Sequence, residues 1–193
     1  MFGKKPSAPP PAQPKPPVPA QQSAQPAARP SGWAAQALTA DYLASGYLQP
    51  VDMPLAGFLN MSNQATITLL GAQVQAIGAQ AAVVNPAPAE ITIPKTSLIA
   101  FIPRDEPGMR SATQQMPNRP APAVVYAGPY LIRATFMLAG DTPLRNFFGV
   151  AGGALVAVTN AEITCQLPGA RFAPLAAKIM VLNKTLVQMY HPA

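Results

Sequence analysis

"DYLASGYLQPVDMPLAGFLN" occupies Asp41–Asn60, and "PYLIRATFMLAGDTPLRNFFG" occupies Pro129–Gly149. Tyr42-Leu43 matches Tyr130-Leu131, Pro54-Leu55 matches Pro143-Leu144, and Phe58-Leu59 matches Phe147-Phe148. The correspondence continues downstream. "ATITLLGAQVQAI" (Ala65–Ile77) faces "ALVAVTNAEITCQL" (Ala154–Leu167), and "ITIPKTSLIAFIP" (Ile91–Pro103) lies against "IMVLNKTLVQMYHP" (Ile179–Pro192). The offset stays at 88 or 89 residues, so one small insertion or deletion near the first loop accounts for the whole alignment. Matches that keep their order in this way indicate an internal duplication.

Each copy reads as mostly β. "YLASGYL" and "YLIRATFML" have the apolar and aromatic content of strands. In "TITLLGAQVQAI" the apolar residues nearly alternate, with a change of phase at Gly71, where a glycine suggests a bulge or bend. "AEITCQL" alternates through Ala161, Ile163, Cys165 and Leu167, and "TSLIAFI" and "KTLVQMY" read as closing strands. Between the first and second strands, Pro54 and Pro143 suit a first helical turn. Leu55, Phe58 and Leu59 share i, i+3, i+4 spacing, as do Leu144, Phe147 and Phe148, so a short helix should press three side chains onto one end of each unit. The expected fold is therefore mainly β: two tandem small β-barrel or β-sandwich units, each with a short helix. On this reading residues 40–103 are the first unit and 129–193 the second. "PRDEPGMRSATQQMPNRPAPA" (Pro103–Ala123) is polar and proline-rich, which assigns 104–128 to a linker.

Residues 1–39 read as a disordered tail rich in Pro, Ala and Gln. Ten of the 25 prolines fall in residues 1–32, with almost nothing large to bury. Within "PAQPKPPVP", the PxxP spacing of Pro11, Pro14, Lys15, Pro17 and Pro19 favours a polyproline II conformation and makes these residues candidate partner contacts. A semi-rigid spacer is the simpler alternative. Of the net charge of +6, Lys4, Lys5, Lys15 and Arg29 supply +4, leaving 9 bases and 7 acids in the rest of the chain. A nucleic-acid-binding domain would concentrate positive charge on its folded face.

The pattern of a "PL-x-x-FLN" phrase, a "TLL-x-A-x-V" strand and a closing "I-x-x-x-x-L-I" strand resembles a small bacterial β-domain family of unknown function. In that family the corresponding phrases run Arg-Leu-x-Asp-x-Leu-Asn and Phe-Leu-x-Leu-Thr-Asp-Ala-x-Val. The first copy keeps "FLN" and "LLGAQV", and the second keeps "PLRNFF" and "VTNAEI". Gly57 and Asn146 stand where the family has an acid. The resemblance covers roughly two thirds of the chain; it implies a compact β fold and no particular reaction.

Chemistry is sparse. The one histidine, His191, and the one cysteine, Cys165, cannot between them assemble an N/S metal cluster. Cys165 falls on the apolar parity of its strand and reads as a buried small hydrophobe. Asp52 and Asp141 precede the two Pro-Leu phrases and are expected to cap the short helices. Asp105 and Glu106 read as solvated charge beside Arg104 and Arg110. Lys95 and Lys184, each in a Lys-Thr pair before a closing strand, read as exposed lysines protecting a sheet edge. The glycines at Gly149, Gly152 and Gly153 lack the Lys-Ser/Thr of a phosphate loop.

No catalytic residue, cofactor or metal ligand is expected, which points away from an enzyme. A lone cysteine, a proline-broken start and glycine-broken apolar stretches lead to an expectation of a cytoplasmic protein without a transmembrane segment. Apolar residues make up 49% of the chain and charged residues only 10%, well below the usual share. That balance implies surface covered by a partner, including a homo-oligomer, with Met109 and Met116 as candidate contacts. The function expected is therefore a non-enzymatic scaffold or adaptor built from a duplicated β unit with a flexible arm. The alternative is binding to nucleic acid or an anionic surface through the basic tail with Arg104, Arg110 and Arg119. A ligand-binding barrel ranks third.

Overall fold

The computed structural model describes residues 3, 31–114, 116–150 and 153–193. Ten strands form one antiparallel sheet: β1 (Trp33–Leu38), β2 (Tyr42–Leu48), β3 (Thr66–Ala76), β4 (Glu90–Pro94), β5 (Ala100–Pro103), β6 (Arg119–Ala127), β7 (Tyr130–Leu138), β8 (Leu155–Cys165), β9 (Leu175–Asn183) and β10 (Val187–Pro192). Three short helices accompany them: α1 (Leu55–Leu59), α2 (Glu106–Thr113) and α3 (Leu144–Val150). The strand order is β10-β6-β7-β8-β9-β5-β1-β2-β3-β4. Its first five places follow the same plan as its last five, with a fifth strand returning beside the first of a four-strand meander.

The pairing registers follow the same plan. Trp33 faces Leu48 and Ala121 faces Phe136, while Tyr42 faces Ala76 and Tyr130 faces Cys165. Thr66 faces Pro94, and Leu155 faces Asn183. Corresponding residues are thus 88 apart in β1 and β2, and 89 apart from β3 onward. The one-residue change falls in the connection that carries α1 and α3. In both halves a 3-10 turn, Lys95–Ser97 or Lys184–Leu186, leads into the returning strand.

The halves are not separated by a linker. β5 pairs with β9 through Ala100↔Leu182 and Phe101↔Val181, so the sheet runs unbroken from one half to the other. All four residues of β5 are buried. Ala100 and Ile102 join one core cluster with Tyr130, Ile132, Phe136 and Met180, whereas Phe101 joins a second with Leu55, Leu59, Ile67 and Leu69. A strand whose two faces serve two cores must be apolar throughout, as "AFIP" is.

Composition misled in two places. Residues 33–38 lie inside the stretch assigned to the tail, yet they form β1, which is bonded to β2 on one side and β5 on the other. Ala35 and Ala37 face the core and are buried, while Ala34 and Gln36 on the other face are partly exposed. Residues 104–128 hold α2 and β6 rather than a linker. Asp105 caps α2 by accepting the Gly108 N–H at 2.9 Å, and it also accepts the Ala34 N–H at 2.8 Å, tying the helix to β1. Pro120 and Pro122 fit in β6 because they lie beyond Ala123, where β10 stops covering that strand's outer side.

The lid residues are packed as their spacing implies, to different depths. Leu55, Leu59 and Phe147 are buried, while Phe58, Leu144 and Phe148 are half-buried against the cores. Phe136 meets both Phe147 and Phe148 edge-on, with ring centroids 5.6 and 5.4 Å away.

Candidate binding cleft

Of the residues singled out from sequence, Pro11, Pro14, Lys15, Pro17 and Pro19 lie outside the described residues. The three arginines do not converge. Arg104 donates to Gln36 Oε1 and to the Ala176 carbonyl at 3.2 Å. Arg110 lies 3.9 Å from Glu106 one turn earlier on α2, an exposed pair of little energetic weight. Arg119 donates to the carbonyls of Gly140 and Thr142 and braces the loop before α3. Each guanidinium binds a different part of the chain's own surface.

Several polar residues play structural parts that composition did not reveal. The N-cap position of α1 is Pro54, with no side-chain cap; the Leu55 N–H instead donates to Ser111 Oγ of α2 at 3.0 Å. Asp52 therefore does not cap α1. Lys95 is buried, not an exposed edge lysine: its ammonium donates to the carbonyls of Phe58 and Met61, both at 3.2 Å, at the C-terminal end of α1. Desolvation holds its pKa below the ordinary lysine value. Cys165 is half-buried against the core, and His191 is exposed. Met109 and Met116 are half-buried.

A cleft of about 700 Å³ opens in the first half, with Gly128, Leu186 and Gln188 of the second half also in its lining. The β1–β2 hairpin forms one wall with Thr39, Asp41 and Tyr42, and the loop after β3 forms another with Val83 and Val84. Ala37 and Ala44 lie at its floor. Four consecutive residues, Ile91 to Pro94, line the third side. Neighbouring strand residues point to opposite faces, so contact with all four means the cleft runs along the open margin of β4. Asp41 is the one charged residue among the described residues of the lining, and the apolar side chains outnumber the polar ones.

The corresponding place in the second half is filled. By register, Val125 replaces Ala37, Ile132 replaces Ala44, and Ile163 replaces Val74. Val125, Ile132 and Ile163 are all completely buried. The registers that flank the loops after β3 and β8 keep the same offset of 89, which puts Phe172 at the position of Val83. Phe172 packs edge-on against Tyr130, centroids 5.5 Å apart. Tyr130 is buried, its phenol donating toward the Thr39 and Ala40 carbonyls, and burial raises its pKa above the ordinary tyrosine value. Tyr42, its counterpart on the cleft wall, is 36% exposed. Val84 beside it is fully exposed. Three smaller side chains and a missing ring thus open in one half the space that is packed in the other. Sequence reading missed the cleft, although the alignment of the two copies already contained the signal in Ala44 against Ile132.

Among the described residues, no three His, Cys, Asp or Glu side chains are placed to share a metal ion, and no helix is long and apolar enough to cross a membrane. Comparison with known protein families, curated proteins and solved structures finds no match.

Proposed function

We propose that this protein is a non-enzymatic interaction module: a duplicated β unit in which one copy is packed solid for stability and the other keeps its mouth open to hold a partner. The cleft carries this reading. Its volume falls in the range of small binding sites, and its lining is apolar with a few polar groups at the rim. Proton-transfer chemistry needs a base and an acid within reach of one another. Among the described residues of the lining, Asp41 has no histidine, lysine or arginine for a neighbour.

The repeated strand order and registers support descent of both halves from one unit. Once fused through β5 and β9, the second copy can serve as scaffold while the first diverges. The proline-rich arm, in this reading, spaces the module from whatever it is anchored to, or adds a second weak contact.

Photo-crosslinking from position 92 on the cleft margin, with position 162 on β8 as control, tests the reading in cells. A discrete protein adduct from position 92 alone is expected. Equal labelling from both positions, or adducts to nucleic acid that fade with salt, would sink it.

A further inference from the structure

We propose that the cleft takes a phenylalanine-like side chain carried on an extended segment of another polypeptide, which pairs as an added strand on β4. This deepens the reading above and rests on it. The nature of the occupant comes from the internal comparison. In the second half the same place holds Phe172, seated edge-on against Tyr130. In the first half Tyr42 keeps its place on the wall, but Val83 stands where the ring would be. What is absent is the volume of an aromatic ring beside an intact aromatic wall, and a ring from outside restores the packing that Phe172 supplies internally.

The backbone of the occupant is specified by β4. Among the described residues this strand pairs with β3 alone and ends the sheet. Lys95 N–H donates to the Ala65 carbonyl, so 95 and 65 form a bonded pair, and by alternation so do 93 with 67 and 91 with 69. The N–H groups of Glu90 and Thr92 therefore point away from the sheet, along the margin that borders the cleft. An extended segment laid there receives two backbone hydrogen bonds from β4 and directs alternate side chains into the opening, which is how an added strand is recognised. Asp41 at the mouth, with no base among the described residues of the lining, selects a basic residue next to the aromatic one.

The full-length protein is titrated with the blocked peptide acetyl-Lys-Thr-Phe-Thr-Val-amide and, separately, with the uncharged apolar dye Nile red. The expected result is saturable peptide binding with methyl shifts confined to Val83, Val84, Ile91 and Ile93, weakened about tenfold or more when the peptide's Phe is Ala. Asp41→Asn should weaken binding a few-fold and remove its salt dependence. Val83→Phe, which copies Phe172, should abolish peptide and dye binding together; Ala44→Ile, which copies Ile132, is the second filling variant should the first fail to fold. Dye binding in the cleft without peptide binding overturns the strand-pairing proposal and leaves the cleft reading standing. Absence of both overturns the two together. Equal affinity for the Phe and Ala peptides overturns the aromatic assignment.

Discussion

At the scale of single residues, Asn60 does more than its place after a short helix suggests. Its Nδ2 donates to the Ala56 carbonyl at 2.7 Å and to the Leu155 carbonyl at 2.6 Å, and its Oδ1 accepts the Leu155 N–H at 2.9 Å. One amide thus completes the backbone valences of a buried residue 95 positions away, at the start of β8 in the other half. Such groups are costly to leave unpaired in a packed interior. Asn60→Ala is expected to destabilise the protein by about 1–3 kcal/mol in chemical denaturation. Gly153 bears on the same contact: a Cβ there would sit 2.6 Å from Asn60 Cγ, and its φ of +78° is unfavourable for a side chain. Gly153→Ala should therefore be at least as damaging, and a value near zero for both variants would remove Asn60 as the tie between the halves. The spacing of Leu55, Phe58 and Leu59 announced a short helix. It gave no sign of this long-range bond, because the second copy has Gly149 at the matching position.

Among elements, the long strands β3 and β8 show which local readings survive folding. The change of phase at Gly71 marks a real irregularity: Gly71 has φ of +55°, and its counterpart Asn160 has φ of +49°. Pairing with the preceding strand shifts register just there, between Ser45 and Tyr47 and between Arg133 and Thr135. Asparagine is among the few side chains that tolerate this conformation, so both copies keep the bend with different residues. Asn160→Gly should leave stability within about 1 kcal/mol, while the β-branched Asn160→Val should cost about 1–2 kcal/mol or more, read as a shift in melting temperature. Equal effects would mean that the strand relaxes without the bend. Periodicity made these strands and lid helices legible. It could not find β1 or β6, because an alanine-rich strand and a strand entered through prolines resemble unstructured sequence in composition. The cleft was hidden for a related reason: it is made by what Ala37, Ala44 and Val83 lack, and only the register of the two copies exposes it.

At the scale of the molecule, the β5–β9 junction poses a problem of self-limitation. β4 is the counterpart of β9, and β10 the counterpart of β5, so the two ends of the sheet repeat the pair of surfaces that already join in its middle. A head-to-tail contact of this kind does not close on itself and can run on into rings or fibres. The homo-oligomer expected from composition would form most directly this way. Yet the outer strands differ from the inner ones at the positions that count. At the junction the Asn183 N–H donates to the Ile99 carbonyl at 2.9 Å; its counterpart on β4 is Pro94, which has no N–H to give. The buried Ala100, Phe101 and Ile102 of β5 correspond to Met189, Tyr190 and His191 on β10, all at least partly exposed. Pro192 places a second missing donor on the open side of β10, since Ala193 N–H bonds inward to Pro122. Proline on an exposed edge is a recurrent way to prevent sheet-to-sheet association. What stays open on β4 is the short stretch with the Glu90 and Thr92 donors, enough for one extended segment and too little for another whole sheet. Pro94→Asn restores the inner arrangement at the outer edge. Light scattering across a concentration series should show stronger self-association for this variant than for the natural chain, with growth beyond a dimer because the contact is head-to-tail. If the two proteins scatter alike at every concentration, Pro94 is not what limits the sheet, and the exposed β10 residues must be tested in its place.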